Sequence, residues 1–196
     1  MRHTGTSEIL TQRLTLRKIT EGDTHAMFTN WASDKEVTRY LTWQAYENEA
    51  DTAQTIARWV TQYEDPAFYL WGIEFQEILI GTISVKPPDY SCTDHAELGF
   101  CIGKKWWGQG IVTEAARAVI DYLFDETGAH TCGISNSTVN TGSIRVAQKC
   151  DMRLEGTRKE YFMDHEGNWH DIYHWGITRE EWQIGTSCRT TPGVTP

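Results

Sequence analysis

The spacing of apolar and polar positions changes period several times along the chain, and each change marks an element. Arg13-Leu14-Thr15-Leu16-Arg17 alternates with a period of two and predicts an opening strand. Glu21-Gly22-Asp23 then punctuates before a short helix. Between Glu47 and Tyr63, Ala53, Ile56, Ala57 and Val60 recur at helical spacing, so an amphipathic helix is expected, with Pro66 just past its end. Phe68 to Phe75 and Ile78 to Val85 are aromatic and β-branched runs separated only by Gln76-Glu77, the pattern of a hairpin. Pro87-Pro88-Asp89 closes the second run. His95 to Ile102 is the next strand, followed by the glycine-rich stretch Gly103 to Gly110. Val112, Ala115, Ala116, Val119, Ile120 and Leu123 then form one stripe over about three turns of helix, with Gly128 as its stop. A short strand from His130 to Ser135, a second short helix from Asn140 to Lys149 and two strands around Asp164-His165-Glu166-Gly167-Asn168 complete the pattern. In the last strand Trp169, Asp171, Tyr173 and Trp175 alternate with His170, Ile172, His174 and Gly176, giving one largely aromatic face. From Gly185 to Pro196 the sequence is aperiodic and predicts a disordered tail. Hairpin-joined strands with isolated helices describe a mixed α+β sheet, not a doubly wound one.

Composition narrows the partners. At 196 residues and 22.5 kDa the chain buries about 70% of its unfolded surface, enough for one unstapled domain, taken as residues 8–184 with the tail 185–196. Lys and Arg number 18 against 27 Asp and Glu, a formal net charge of −9 that argues against bulk binding to nucleic acid or an anionic membrane. No run approaches the roughly 20 apolar residues of a spanning helix, and Met1 to Glu8 lacks the apolar core of a signal peptide. Cys92, Cys101, Cys132, Cys150 and Cys188 are odd in number and contain no CxxC, which suits reduced thiols and a cytoplasmic location. His165, His170 and His174 fall in a strand pattern without carboxylate or cysteine at ligand spacing, so no metal is expected. They are read as surface or substrate-facing histidines. No Gly-x-Ser-x-Gly elbow is present, which removes the usual serine hydrolase signature.

The most informative stretch runs from Glu97 to Ala115. Gly108 and Gly110 open a helix directly after a strand, so backbone N–H groups and the positive end of the helix dipole converge on one small anion. A phosphate or pyrophosphate is the natural guest, and a ligand-free glycine turn is the alternative. The place of a third glycine is taken by Thr113, so this is not a dinucleotide fingerprint, and no Gly-Lys-Ser/Thr follows to make a P-loop.

The wider order is strand, Trp107-Gly108-Gln109-Gly110, Thr113-Glu114-Ala115, helix, strand, Asn140-Thr141-Gly142-Ser143-Ile144-Arg145-Val146 and Leu154-Glu155-Gly156. It resembles the GNAT superfamily of acetyl-CoA-dependent N-acetyltransferases, and most of all the RimJ/RimL-like branch that acetylates ribosomal-protein N-termini. The similarity runs from Arg13 to Trp182, with Arg13-Leu14-Thr15-Leu16-Arg17 and Ile80-Gly81-Thr82-Ile83 matching at the front. The resemblance implies a GNAT fold, a mixed, mostly antiparallel seven-stranded sheet flanked by about four helices. It also implies direct acetyl transfer from acetyl-CoA to a primary amine, and a family habit of forming dimers. By the same resemblance, Lys105, Trp107, Gly108, Gln109, Gly110 and Ile111 hold the coenzyme pyrophosphate. Phe100, Cys101 and Ile102 pair with the pantetheine arm, while Asn140 and Ser143 reach the arm and the thioester sulfur. Three departures stand out: Lys105 replaces the usual Gln or Arg, Ala147 occupies the place of a common Tyr acid, and Asp151-Met152 replaces Gly-Phe.

Amine acetylation needs a base for the ammonium and a donor for the leaving thiolate. Glu97 shares a strand face with His95, Gly99 and Cys101, opposite apolar Ala96, Leu98, Phe100 and Ile102. It reads either as that base or as a solvated carboxylate on an exposed face. With Ala147 in the Tyr place, Ser143 is the remaining donor, or else a first-turn helix cap. Trp31, Tyr40 and Trp43, with Trp59, fall in the N-terminal helices that shape the acceptor site in this family, and serve either as core or as a pocket wall. The acceptor is a protein N-terminus or a small amine, and the net charge of −9 suits a cation of either kind. The rivals are a non-catalytic acetyl-CoA sensor or scaffold, and a nucleotide-binding protein using the glycine turn.

Overall fold

The computed structural model describes residues 1–86 and 94–190, with side chains as far as residue 185. Ile9–Leu10 (β1) and Leu14–Arg17 (β2) pair antiparallel. Two single-turn helices, Thr24–Met27 (α1) and Lys35–Thr38 (α2), precede Glu49–Gln62 (α3), where the Asn48 side chain caps the first turn by accepting from Asp51 N. Tyr69–Phe75 (β3) and Ile78–Lys86 (β4) form the expected hairpin. Its two turn residues, Gln76 and Glu77, have φ of 52° and 63°, the handedness that follows strand twist. His95–Ile102 (β5), Ile111–Tyr122 (α4), Thr131–Ser137 (β6) and Thr141–Lys149 (α5) come next. Arg153–Met163 (β7), Trp169–Thr178 (β8) and Arg179–Thr190 (α6) close the described chain.

The eight strands run in the order β1-β2-β3-β4-β5-β6-β8-β7. Every neighbouring pair is antiparallel except β5 and β6, which α4 joins by a crossover. The eighth strand beyond the seven expected is β1, whose two residues are too few to show a period. Among the described residues the α-helices number six against about four: α1, α3, α4 and α5 are the expected ones, and the additions are α2, of only four residues, and α6. On one face the sheet buries Trp71, Ile83, Leu98 and Ile134 against the stripe Ile111, Ala115, Ala116, Val119 and Ile120 of α4 and against Val146 and Ala147 of α5. On the other face Met27, Trp31 and Ile56 of the N-terminal helical region close over Leu70 and Leu79.

From Gly185 to Thr190 the backbone is helical, where the composition suggested a tail without structure. The helix is seeded by Thr178 and Glu181, which cap one another, and by Trp182, buried with its indole N–H donating to Asp121 Oδ1 at 2.6 Å. Residues 191–196, the Pro87-Pro88-Asp89 stop, Cys92 and the Cys188 side chain lie outside what is described. Among the described residues no helix is long and apolar enough to cross a membrane.

Candidate active site

The central sheet forks. β5 stays hydrogen-bonded to β4 from Lys86↔Glu97 to Gly81↔Ile102, but it pairs with β6 only from His95↔Thr131 to Leu98↔Ile134. β6 meanwhile remains on β8 as far as Ser137↔Ile172. Beyond Leu98 and Ile134 the two strands part, and the facing edges of Gly99–Ile102 and Ser135–Ser137 have no ladder partner. Unpaired backbone in mid-sheet demands donors and acceptors from elsewhere, and an extended ligand that carries amides supplies both. Phe100, Cys101 and Ile102 lie along this edge. The Cys101 thiol itself is turned into the second core, 3.3 Å from Thr82 Oγ1, and burial pushes its pKa up.

The open end of the fork leads into the glycine turn. Lys104–Trp106 makes one tight turn, and Trp107 donates its indole N–H to Ile102 O at 2.8 Å, tying the turn to the strand edge. Gly108 and Gly110 both have φ of +75°, a conformation that strains any residue with a Cβ, and a Cβ at Gly108 would point into open space. Gly110 is the N-cap of α4 and has no side chain to cap it, so the orphan first-turn N–H groups, beginning at Ile111, are left for a ligand. The exposed Lys105 ammonium lies 5.3 Å over the Trp106 ring, whereas Lys104 is held by Glu36.

Arg13 is a second cation here, and the sequence motif alone did not reveal it. Its Nη1 donates to Gln109 O at 3.2 Å and its Nε to Glu114 Oε2 at 2.7 Å. The other Glu114 oxygen accepts from Thr11 Oγ1 at 2.6 Å and Arg13 N at 2.9 Å. Burial pushes the Glu114 carboxyl up, but these hydrogen bonds and the guanidinium charge prevail and hold it below its ordinary range. The start of β2 is thereby clamped to the N-terminal end of α4.

Across the fork, Asn140 is the N-cap of α5, accepting from Ser143 N at 3.2 Å, and the Ser143 hydroxyl accepts from Asn136 Nδ2 at 3.3 Å. Ala147 is fully buried one turn further along, so no phenol could stand there without rebuilding the core. Asp151, at φ +57°, adopts the left-handed conformation suited to the usual Gly, and Met152 fills the core where Phe is common. Glu97 lies on the opposite face from Ser143. It is one rung short of the fork, partly exposed, with Oε1 3.7 Å from Lys86 Nζ. At the first rung past the fork on that face, Ser135 Oγ and His174 Nδ1 are 2.9 Å apart.

The same face is roofed by the loop after α2 and by the β7–β8 turn. The Tyr40 ring meets His170 edge-on at 6.1 Å between centroids, and His165 Nε2 lies 3.0 Å from Trp43 O. Asp164 anchors that turn: His170 Nε2 lies 2.7 Å from its Oδ2, while Glu166 N and Asn168 N each donate at 2.9 Å to Oδ1. The His170 contact foremost, with the backbone bonds behind it, holds the Asp164 carboxyl well below the usual carboxylate range. A cleft of about 480 Å³ opens between Thr42 and Gln44 on one side and Phe162, Met163 and His165 on the other. Trp31, by contrast, is wholly buried in the second core. Among the described residues no group of three His, Cys, Asp or Glu is arranged to hold a metal ion.

A forked sheet whose mouth is flanked by an uncapped glycine-led helix offers an open strand edge to an extended, amide-bearing ligand and unpaired N–H groups to its anionic head. Residues 13–153 match the acetyltransferase (GNAT) domain family. The chain is similar to the uncharacterized N-acetyltransferase YoaA of Bacillus subtilis, with 31% identity over 153 residues, 77% of this chain and 85% of YoaA. It is 28% identical to the putative ribosomal N-acetyltransferase YdaF of the same organism over 147 residues, 74% of this chain and 79% of YdaF. Among solved structures, Mycobacterium smegmatis RimJ in complex with CoA-disulfide superposes with a TM-score of 0.83 at 19% identity, over 92% of this chain and 91% of that one. The chain belongs to the GNAT family and is an acetyl-CoA-dependent N-acetyltransferase.

Proposed function

We propose that the chain acetylates the α-amine of a protein or peptide N-terminus, with acetyl-CoA seated in the fork. The observation that carries this is the fork itself, which separates a glycine-turn side from a roofed face bearing Glu97, Ser135 and His174. When bound, acetyl-CoA supplies a thioester whose carbonyl carbon a neutral amine attacks. The N–H groups from Gly108 to Ile111, with Lys105 and Arg13, receive the phosphates. The unpaired edge Phe100–Ile102 aligns the arm, joined by Asn140 and Ser143. Glu97 takes a proton from the ammonium, directly or through one water, and Ser143 offers its hydroxyl to the departing sulfur. Tyr40 and Trp43 wall the acceptor side through the loop they occupy; Trp31 supports that wall from beneath. A cleft of about 480 Å³ has room for the leading residues of an extended chain. Support for a protein acceptor comes from the similarity to a putative ribosomal N-acetyltransferase.

The site of action belongs to a reducing compartment such as the cytoplasm, as suits the free thiols of Cys101 and Cys132. Pairing of two copies is part of the same proposal, and sedimentation checks it. The acceptor class is tested by thiol release from acetyl-CoA with peptides starting in Ala, Ser or Met, set beside spermidine, aminoglycosides and free amino acids. Peptides are expected to give the highest kcat/KM, by tenfold or more. A small amine that surpasses every peptide would overturn the assignment of the acceptor.

A further inference from the structure

Cys132, Ile134 and Asn136 lie on one face of β6, toward α4 and α5. The first two are core residues, and the third is an amide where an apolar side chain would pack. Asn136 is only 6% exposed, and it sits in the stretch of β6 that has lost β5 as a partner. Its Nδ2 donates to Ser143 Oγ at 3.3 Å, and its Oδ1 is buried with no hydrogen-bond partner. Turning the amide end for end only exchanges which end is vacant. A buried polar atom left unpaired costs about 1–3 kcal/mol, so a side chain of this kind persists where a ligand completes it.

We infer that Asn136 is a binding residue for the pantetheine arm: its vacant end pairs with a secondary amide of the arm, and its other end fixes the Ser143 hydroxyl. This rests on the seating of acetyl-CoA in the fork proposed above. The arm carries two secondary amides, each with an N–H and a C=O, so either orientation of the Asn136 amide finds a complement. One residue thereby links recognition of the arm to the group offered to the leaving sulfur.

The test compares coenzyme A with adenosine 3′,5′-bisphosphate, which has the nucleotide end and lacks the arm. Both are titrated by NMR against wild type, Asn136→Ala and the near-isosteric Asn136→Leu. Both variants are expected to bind coenzyme A about fivefold to tenfold more weakly. Binding of the bisphosphate should stay within about twofold of wild type, which also reports that the glycine turn is folded. Wild-type affinity for coenzyme A in either variant, or equal weakening of both ligands, would overturn the role of Asn136. Wild type that binds coenzyme A no better than the bisphosphate would instead overturn the fork as the seat of the arm.

Discussion

Glu97 and Ser143 stand on opposite faces of the sheet on either side of the fork, so their substitutions should have separable signatures. Glu97→Gln is expected to lower kcat by about a hundredfold and to abolish the acid limb of its pH profile. Stopped-flow thiol release across pH checks this, and an unaltered profile would remove Glu97 as the base. Ser143→Ala should lower kcat/KM about fivefold to tenfold, the scale of one lost hydrogen bond of about 1 kcal/mol. If Ser143 were only a helix residue, the same substitution would leave turnover at the wild-type rate. Asn140 and Ser143 were singled out in the sequence through the family resemblance, and the folded chain adds that the Asn140 side chain caps α5 by accepting from the N–H three residues on. Asn136 was not legible, since a vacant buried oxygen leaves no pattern in a sequence. Trp31 illustrates the opposite limit, because aromatic identity alone does not distinguish a pocket wall from the buried core it occupies.

At the scale of elements, the clamp from β2 to α4 is the feature that holds the glycine turn in shape. Arg13 and Glu114 are 101 residues apart, so their pairing is invisible to any periodicity. Arg13→Ala and Glu114→Gln should each cost about 1 kcal/mol, after allowing for the partial exposure of the pair, and raise KM for acetyl-CoA several-fold. The folded-state pKa of Glu114 lies below its unfolded value. Its contribution to stability is therefore complete above the unfolded value of about 4.3 and is lost as pH falls through the folded value. Urea denaturation should show the gap between wild type and Glu114→Gln constant from pH 6 to 8 and closing below about pH 4. The α4 stripe and the strand His95–Ile102 were readable because their side chains alternate or recur within the element. β1 and α2 escaped because two or four residues contain no full period, whereas the short α1 was announced by the Glu21-Gly22-Asp23 punctuation before it. The continuation of α6 past Gly185 escaped because Trp182 and the Thr178–Glu181 cap set its course, not the composition after it.

For the molecule as a whole, the proposed seat of a polyanionic cosubstrate is compatible with a formal charge of −9 by position: unpaired N–H groups, Arg13 and Lys105 lie at the turn, and the remainder of the chain is acidic. With the cationic peptide acceptor proposed above, that remainder would act as a steering field, so kcat/KM for the acceptor should fall several-fold between about 50 and 300 mM salt when acetyl-CoA is saturating. No salt dependence with a basic peptide would remove steering from the account. The parallel β5/β6 pair suits the strand–helix–strand rhythm that the chain displays, whereas the placing of β8 between β6 and β7 and the point where β5 and β6 separate are properties that only the folded chain reveals. In the proposed reaction the fork aligns a thioester for direct attack by an amine. The most direct test of that step follows free thiol and acetylated product together, by absorbance and mass spectrometry, when the enzyme is mixed with acetyl-CoA and a short peptide. One N-acetylated peptide is expected per thiol released, with no acetylated enzyme at any time. Thiol release without acetylated peptide, or an acetyl-enzyme that forms and decays at the rate of turnover, would contradict it.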